Sequence, residues 1–137
     1  MTDIDAHELH IVTPAGLPQP VGPYSHGVRT GSLVFCAGQL ALDPASSAPL
    51  AELSAREQTR LVLENLAATL AAAGSSLDRV VRTTVYLADL ADYDAMNAAY
   101  VEAFGTHRPA RATFEVSRLI GGLKVEIDAF AIAELPA

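Results

Sequence analysis

Two segments of the 137-residue sequence have the pattern of an α-helix, and this small number of helices is what most constrains the fold. Ser54, with Glu57 three residues later, forms a capping box that predicts a helix over residues 55–73. Asp92 is placed to cap a second helix over residues 93–104. The first helix has an apolar stripe, and each helix is followed closely by a glycine: Leu61, Val62, Leu66, Leu70, Gly74 and Gly105. Two helices can cover one face of a sheet, but not both.

The other regular segments are typical of β-strands, because they are rich in β-branched and aromatic residues. In chain order they are residues 8–12, a hairpin over 26–40 that turns at Gly31 and Ser32, and residues 79–90, 109–116 and 123–135. Residues 33–37 and 128–133 are apolar enough that we expect both faces of these strands to be buried. Since the helices can cover only one face, we expect another copy of the chain to cover the second.

Length and composition limit the kind of protein that this sequence can encode. The length suits one domain, residues 1–137, with no repeat or linker. The sequence shows no signal peptide and no transmembrane run, and Cys36 is the only cysteine, which fits a reducing cytoplasm. The net charge of −7 disfavours nonspecific binding to nucleic acid or to anionic membranes, because such affinity comes mostly from Lys and Arg.

Every second residue from Ala110 to Val116 is apolar, so we expect this set to face the core, with Arg111 on the opposite side of the strand. An arginine there has two interpretations. It is either an exposed side chain that pairs with Glu115 or Asp128, as most strand charges are solvated, or a clamp for a ligand carboxylate. The second interpretation uses the planar guanidinium fork, which matches a carboxylate with two hydrogen bonds.

Glu126 lies on the predicted last strand, on the opposite side from Val125 and Ile127. The ordinary interpretation is a solvated charge at the end of a strand. However, its neighbours on that side include Phe130 as well as charged residues. A carboxylate on a partly apolar face has a raised pKa and is able to transfer protons near neutral pH.

Two other residues have a functional and an ordinary interpretation. Tyr24, on a proline-restricted loop in GPYSHG, either packs that loop onto the sheet or presents its hydroxyl to a ligand. Asn97, in the second helix, is either solvated or reaches a site between chains.

Cys36 is expected to be an inert core residue. His7, His10, His26 and His107 do not have the spacing of a metal site, and no phosphate-binding loop is present, so we predict neither a metal nor a cofactor.

Five stretches together identify a family: GPYSHG, VFCAGQLALDP, the long segment from Glu57 to Gly105, PARATFEVSRL and VEIDAFA. They resemble the reactive intermediate deaminase family, the RidA-like imine deaminases, over about residues 12–134. The most specific part is an arginine after Pro-Ala followed by Val-Glu-Ile in the next strand, which places the family signature at Arg111 and Glu126.

The resemblance implies an α+β, chorismate-mutase-like fold, with a single mixed β-sheet backed by two α-helices on one face. It implies a homotrimer with sites in the clefts between subunits. The activity implied is hydrolysis of reactive 2-imino or 2-enamino acids, such as 2-aminoacrylate and 2-iminobutyrate, to 2-keto acids and ammonia. By the same resemblance Arg111 binds the substrate carboxylate, Glu126 and backbone groups near Gly38 position the water, Tyr24 lines the pocket, and Asn97 and Thr113 lie near it.

The sequence departs from the family pattern at three places. Ala37 stands where many members have Ser, Ile120 where Pro is usual, with Gly121 and Gly122 next, and His26 where Gln is common. These differences affect the substrate more than the Arg–Glu chemistry. They keep open a non-catalytic trimer that binds small carboxylates and a paralogue that acts on a pathway-specific imine or enamine. An endoribonuclease, an activity attributed to some relatives, is disfavoured by the acidic charge.

Overall fold

The structure, a computed structural model that describes residues 7–134, contains one six-stranded sheet and two helices. Its elements are β1 (His10–Val12), β2 (Gly27–Thr30), β3 (Leu33–Gln39), α1 (Ala55–Ala72), β4 (Val80–Leu87), α2 (Tyr93–Phe104), β5 (Ala110–Glu115) and β6 (Val125–Ile132). The strand order is β1-β2-β3-β6-β4-β5, in which β4 and β5 are parallel and the other neighbours antiparallel. The mixed sheet, both helices and the hairpin turn are therefore confirmed.

The two helices begin differently. The Ser54 hydroxyl accepts from the Glu57 N–H at 3.1 Å and the Glu57 carboxylate accepts from the Ser54 N–H at 3.3 Å, so the predicted capping box of α1 is confirmed. Asp92 holds the N-cap position of α2, but its side chain makes no capping bond. Instead Asp89 caps a short 3₁₀ turn just before α2 by accepting from the Ala91 N–H. The capping role predicted for Asp92 was wrong because this turn precedes the helix.

The helices pack against one face of the sheet, here called the helix face. The core holds Val62, Leu66 and Leu70 of α1, as the stripe predicted, and also Leu63; Leu61 packs in a smaller second cluster. On β6 the residues of this face are all buried: Val125, Ile127, Ala129 and Ala131. Burial of these side chains is the main source of the fold's stability, at roughly 25 cal/mol per Å² of apolar surface.

The side of β5 that faces the core was predicted wrongly. Arg111 pairs with Thr83 of β4, and Thr83 is fully buried on the helix face. Arg111 and Thr113 therefore also lie on the helix face, whereas Phe114 lies on the opposite face and is exposed. The alternation itself is as expected. Because β5 is the edge strand, its polar side chains reach the border of the helical layer without entering the core.

The opposite side of the sheet, here called the open face, carries large exposed apolar residues. They are Leu33 and Phe35 of β3, Phe114 of β5, and Phe130 and Ile132 of β6. The Phe35 and Phe130 rings pack edge to face with centroids 5.3 Å apart. Burial of both faces of β3 and β6, as the sequence suggested, is thus not achieved within a single chain.

Candidate active site

The predicted site residues fall into two separate cavities. One, the Glu126 cavity, has a volume of about 250 Å³ and is lined by Tyr24, Ala37, Gly38, Leu40, Ile120 and Glu126. The other, the Arg111 cavity, has a volume of about 310 Å³ and is lined by Asn97, Tyr100, Val101, Arg108, Pro109 and Arg111. The structure therefore brings Tyr24, Gly38 and Glu126 together, and Asn97 and Arg111 together, but it does not bring the two groups together.

Strand register explains this separation. Glu126 stands opposite Tyr86 of β4, one residue out of phase with the buried Val85, so it points to the open face. Arg111 stands beside Thr83 and points to the helix face. Because successive side chains of a strand alternate between faces, the carboxylate and the guanidinium lie on opposite sides of the sheet of one chain.

A β-bulge forms the floor of the Glu126 cavity. Cys36 pairs with Ala129 and Gln39 with Ile127, so two residues of β3 stand opposite the single residue Asp128. Gly38 is one of the two, and the Glu126 side chain lies directly over its Cα. A Cβ atom at this position would be 2.7 Å from Oε2 of Glu126 and 2.9 Å from its Cδ. A glycine is therefore required for the carboxylate to occupy this position.

Among residues 7–134 no cation lies within 4.0 Å of the Glu126 carboxylate. Burial raises the pKa of Glu126, and the charge of Asp128 raises it further. The Tyr86 hydroxyl donates to Oδ2 of Asp128 at 2.9 Å. The Lys124 ammonium is turned away, since it donates to the carbonyls of Ala51 and Leu53. A carboxylate in such surroundings is able to take up and release a proton closer to neutral pH.

The walls of the Glu126 cavity come from two loops. Tyr24 is exposed, and its hydroxyl accepts from the Val21 N–H at 3.3 Å, so the phenol is held by its own loop. Ile120 is also exposed and begins a short 3₁₀ turn, Ile120–Gly122. Gly121 in that turn has φ of 63°, and a Cβ there would lie 2.3 Å from Cγ of Pro49. Gly121 thus lets the turn pack against Pro49.

Aromatic side chains of α2 support Arg111. Its guanidinium carbon lies 4.8 Å from the centroid of the Tyr100 ring and 5.6 Å from that of Tyr93. Nη2 donates to the Tyr93 hydroxyl at 3.2 Å, and Nη1 contacts the Met96 sulfur at 3.9 Å. Among the described residues no carboxylate lies within 4.0 Å of Arg111. The pairing with Glu115 or Asp128 that the sequence left open is therefore not made.

The environment of Tyr100 fixes the base of the Arg111 cavity. Its hydroxyl shares a hydrogen bond with Oγ1 of the buried Thr83 at 2.7 Å. Burial raises the pKa of Tyr100, which keeps the phenol neutral. Asn97 is half-buried beside it and lines the same cavity. Thr113 lines neither cavity, and its buried hydroxyl oxygen has no hydrogen-bond partner among the described residues.

The sequence contained a signal for the aromatic support of Arg111 that was not used. Tyr93, Met96 and Tyr100 follow one another at spacings of three and four residues, which places them on one face of α2. Asn97 lies four residues after Tyr93 and is next to that face. The partnership of Tyr86 with Asp128 had no such signal, because it depends on the register between β4 and β6.

Other kinds of site find little support. Within residues 7–134 no group of three or more His, Cys, Asp or Glu side chains could hold a metal ion. Burial, and then the charge of Asp128, raise the pKa of the Cys36 thiol to about 12, as expected for an inert core cysteine. No helix in this part of the chain is long and apolar enough to cross a membrane.

Known proteins are similar to this chain in sequence and in fold. The family model described as endoribonuclease L-PSP matches residues 15–133. A RutC family protein of Pyrococcus horikoshii is 45% identical over 117 residues, which is 85% of this chain and 92% of that protein. The 2-iminobutanoate/2-iminopropanoate deaminase of Salmonella typhimurium is 42% identical over 118 residues, 84% of this chain and 91% of that enzyme. The crystal structure of E. coli TdcF with bound serine is similar with a TM-score of 0.84 at 34% identity, over 91% of this chain and 99% of that one. The chain therefore belongs to the RidA-like family, whose family model carries the endoribonuclease description.

Proposed function

We propose that this protein hydrolyses reactive 2-imino or 2-enamino acids to 2-keto acids and ammonia, at sites completed by two copies of the chain. The observation that carries the proposal is the complementarity of the two cavities. Within the described part of the chain, one presents a guanidinium with no carboxylate within 4.0 Å, and the other presents a carboxylate with a raised pKa and no cation within that distance. A 2-imino acid needs both, since it has a carboxylate next to the carbon that water attacks.

The proposed roles follow from these positions. Arg111, oriented by Tyr93 and Tyr100, binds the substrate carboxylate through its planar fork. Glu126 takes a proton from the water that adds to the imine carbon, and it returns a proton to the nitrogen of the resulting carbinolamine. The carbon–nitrogen bond then breaks as the carbinolamine hydroxyl gives its proton to Glu126, which releases ammonia and leaves a 2-keto acid. The imine carbon is already electrophilic, so orientation and proton transfer are sufficient, and proton transfer contributes about 10²–10⁴-fold.

The proposed assembly is a homotrimer in which the sheets face inward. This arrangement would bury the exposed apolar residues of the open face, including Phe35 and Phe130, which a monomer leaves in water. It would also let the edge strand that carries Arg111 approach the open face of a neighbour, where Glu126 lies. Sedimentation that finds a stable monomer at micromolar concentration would contradict this assembly.

Two other functions can be distinguished from imine hydrolysis by experiment. A trimer that only binds small carboxylates would use Arg111 without turnover, and Ala37, which lacks the usual hydroxyl, is compatible with it. Saturable 2-oxobutyrate binding without imine hydrolysis would favour this function. Ribonuclease activity, which the family description names, has little electrostatic support in a chain of net charge −7. RNA binding that weakens steeply with salt would favour it.

The experiment that tests the proposal is a coupled deamination assay. An amino-acid oxidase generates several 2-imino acids in the presence of semicarbazide, which traps free imine. We expect the wild-type protein to suppress semicarbazone formation and Arg111→Ala to lose this effect. Loss of a charge-assisted bidentate contact costs on the order of 2–4 kcal/mol, or about 30- to 1,000-fold in kcat/KM. Arg111→Lys, which keeps the charge without the fork, should recover only part of the activity.

Arg60→Ala is the matched control, because Arg60 is an exposed cation on α1 that pairs with Glu64. It should retain wild-type activity. Suppression by wild type and Arg60→Ala, but not by the folded Arg111→Ala variant, supports the carboxylate clamp. If the folded wild-type protein fails on every imine, the deaminase proposal is wrong and the binding function becomes the better explanation.

A further inference from the structure

The Arg111 cavity contains a second guanidinium that the proposed reaction does not use. Arg108 lines the same cavity, three residues before Arg111. Its Nη1 donates to the carbonyls of Gly105 and His107 at 2.5 and 3.0 Å, so one edge of the guanidinium is held against the loop that leaves α2. Among the described residues these carbonyls are its hydrogen-bond acceptors, which leaves Nε and Nη2 available to a ligand.

The charges of both arginines influence the same residue of the cavity, Tyr100. Burial raises the pKa of Tyr100, and the charges of Arg111 and Arg108 both oppose that rise. The Tyr100 ring centroid lies 4.8 Å from the Arg111 guanidinium carbon, and Tyr100 lines the cavity together with both arginines. In extended chain the Cα atoms of Arg108 and Arg111 are at most about 10 Å apart, so both side chains are able to reach one small molecule.

Two arginines line one cavity of a protein whose overall charge is acidic. The protein has a net charge of −7, and exposed arginines of α1 are neutralised by carboxylates, as in the pairs Arg56–Glu102 and Arg60–Glu64. In the described part of the chain no carboxylate lies within 4.0 Å of either Arg108 or Arg111. One substrate carboxylate neutralises one of these cations and leaves the other unpaired.

We infer that the substrate carries a second carboxylate, at the far end of a short carbon chain, and that Arg108 binds it while Arg111 binds the carboxylate next to the imine. This inference rests on the proposed function, because it uses the same Arg111 clamp. It narrows the substrate class to 2-imino or 2-enamino derivatives of short dicarboxylic acids. The amide of Asn97, which lines the same cavity, is available to donate to either acid group.

Binding of two 2-keto acids of equal length tests the inference on the assembled protein. 2-Oxopentanoate and 2-oxoglutarate both have five carbons and differ in the second carboxylate. By isothermal titration calorimetry we expect wild type to bind 2-oxoglutarate about tenfold more tightly, the contribution of one charge-assisted contact at a partly exposed site. Arg108→Gln should remove this preference, because it weakens the binding of 2-oxoglutarate about tenfold more than that of 2-oxopentanoate. Arg60→Gln, which removes one cation elsewhere, should keep the preference.

The outcomes separate this inference from the proposed function. If wild type binds both acids equally, or if Arg108→Gln keeps the full preference, the second-carboxylate inference is wrong while the Arg111 clamp stands. If the folded wild-type protein binds neither acid and hydrolyses no imine, both proposals fail. Preference in wild type and Arg60→Gln, together with its loss in Arg108→Gln, supports a dicarboxylic substrate.

Discussion

The Arg111 cavity and the Glu126 cavity are built in opposite ways. The first rests on α2 and an edge strand, and aromatic rings hold its cation in place. The second rests on a β-bulge, where a carboxylate lies over a glycine and against a second acid. Each contains the charge that the other lacks, and the sheet of one chain lies between them. Under the proposed function, one folded chain provides two incomplete half-sites, and a second copy completes them.

The strongest test of this difference between the two cavities is to place the intact Arg111 and the intact Glu126 on different chains. Arg111→Ala and Glu126→Gln should each be nearly inactive. If each site takes its arginine from one copy and its glutamate from a neighbour, trimers refolded from equal amounts of both variants contain some intact sites. Random mixing gives an intact pair in about a quarter of the clefts. We therefore expect the mixture to recover about a quarter of wild-type imine hydrolysis.

The matched control mixes Arg111→Ala with the double variant Arg111→Ala/Glu126→Gln, which offers no intact arginine. This mixture should stay inactive. Native mass spectrometry should verify that mixed assemblies have formed. Mixed assemblies of the two single variants that recover nothing would show that both residues must come from the same chain, contrary to the geometry described above.

The second prediction concerns the support of Glu126 by Gly38. In Gly38→Ala the new methyl group would lie 2.7 Å from Oε2 of Glu126, so the carboxylate must move. The clashing atoms are the end of a flexible side chain, so the shift should cost less than about 1 kcal/mol of stability. The displaced carboxylate should nevertheless lower imine hydrolysis at least about tenfold. Chemical denaturation and the coupled assay measure the two effects.

A double-mutant cycle sharpens this prediction. In a Glu126→Ala background the side chain that clashes with the new methyl group is absent. Gly38→Ala should then destabilise the protein by less than it does in wild type. An equal loss of stability in both backgrounds would mean that the bulge, and not the Glu126 side chain, requires the glycine.

Some parts of the fold can be predicted from the sequence and others cannot. The helices, the hairpin and the alternation of β6 were predicted correctly, because each depends on local spacing: a capping box, a turn, a two-residue period. The core side of β5 was predicted wrongly. Its apolar residues face the open side, since a strand pattern identifies two faces without telling which one the helices cover.

The candidate site could be predicted from the sequence only in part. The family signature selected Arg111 and Glu126, and the structure places each in a cavity. Which residues surround them depends on the packing of distant segments. Tyr100 reaches Arg111 through helix–strand packing, and Tyr24 reaches the Glu126 cavity from a loop distant in sequence. Single-sequence patterns contain little information on such contacts.

The smallest predicted effect concerns the acidity of Glu126. Burial raises its pKa first, and Asp128, held by the Tyr86 hydroxyl at 2.9 Å, raises it further. The other titratable groups near this carboxylate in the described chain are Tyr24 and Lys124, whose ammonium is turned towards backbone carbonyls. An Arg111 guanidinium from a neighbouring copy would act in the opposite direction and favour the charged form. The Asp128 contribution is therefore measurable only as a difference between variants.

Asp128→Asn should lower the pKa of Glu126, because it removes a like charge. If ionised Glu126 is the base, the acidic limb of the kcat/KM profile should move to lower pH. Since the folded pKa is raised, the stability contributed by neutral Glu126 is present below its ordinary pKa and is lost as the pH rises through the raised value. Asp128→Asn should make that loss smaller in unfolding experiments. The control is Asp78→Asn, which should leave both profiles unchanged. Asp78 lies just before β4, whereas Tyr86 lies near the other end of that strand. An unmoved acidic limb in Asp128→Asn would mean that another group sets the pH dependence.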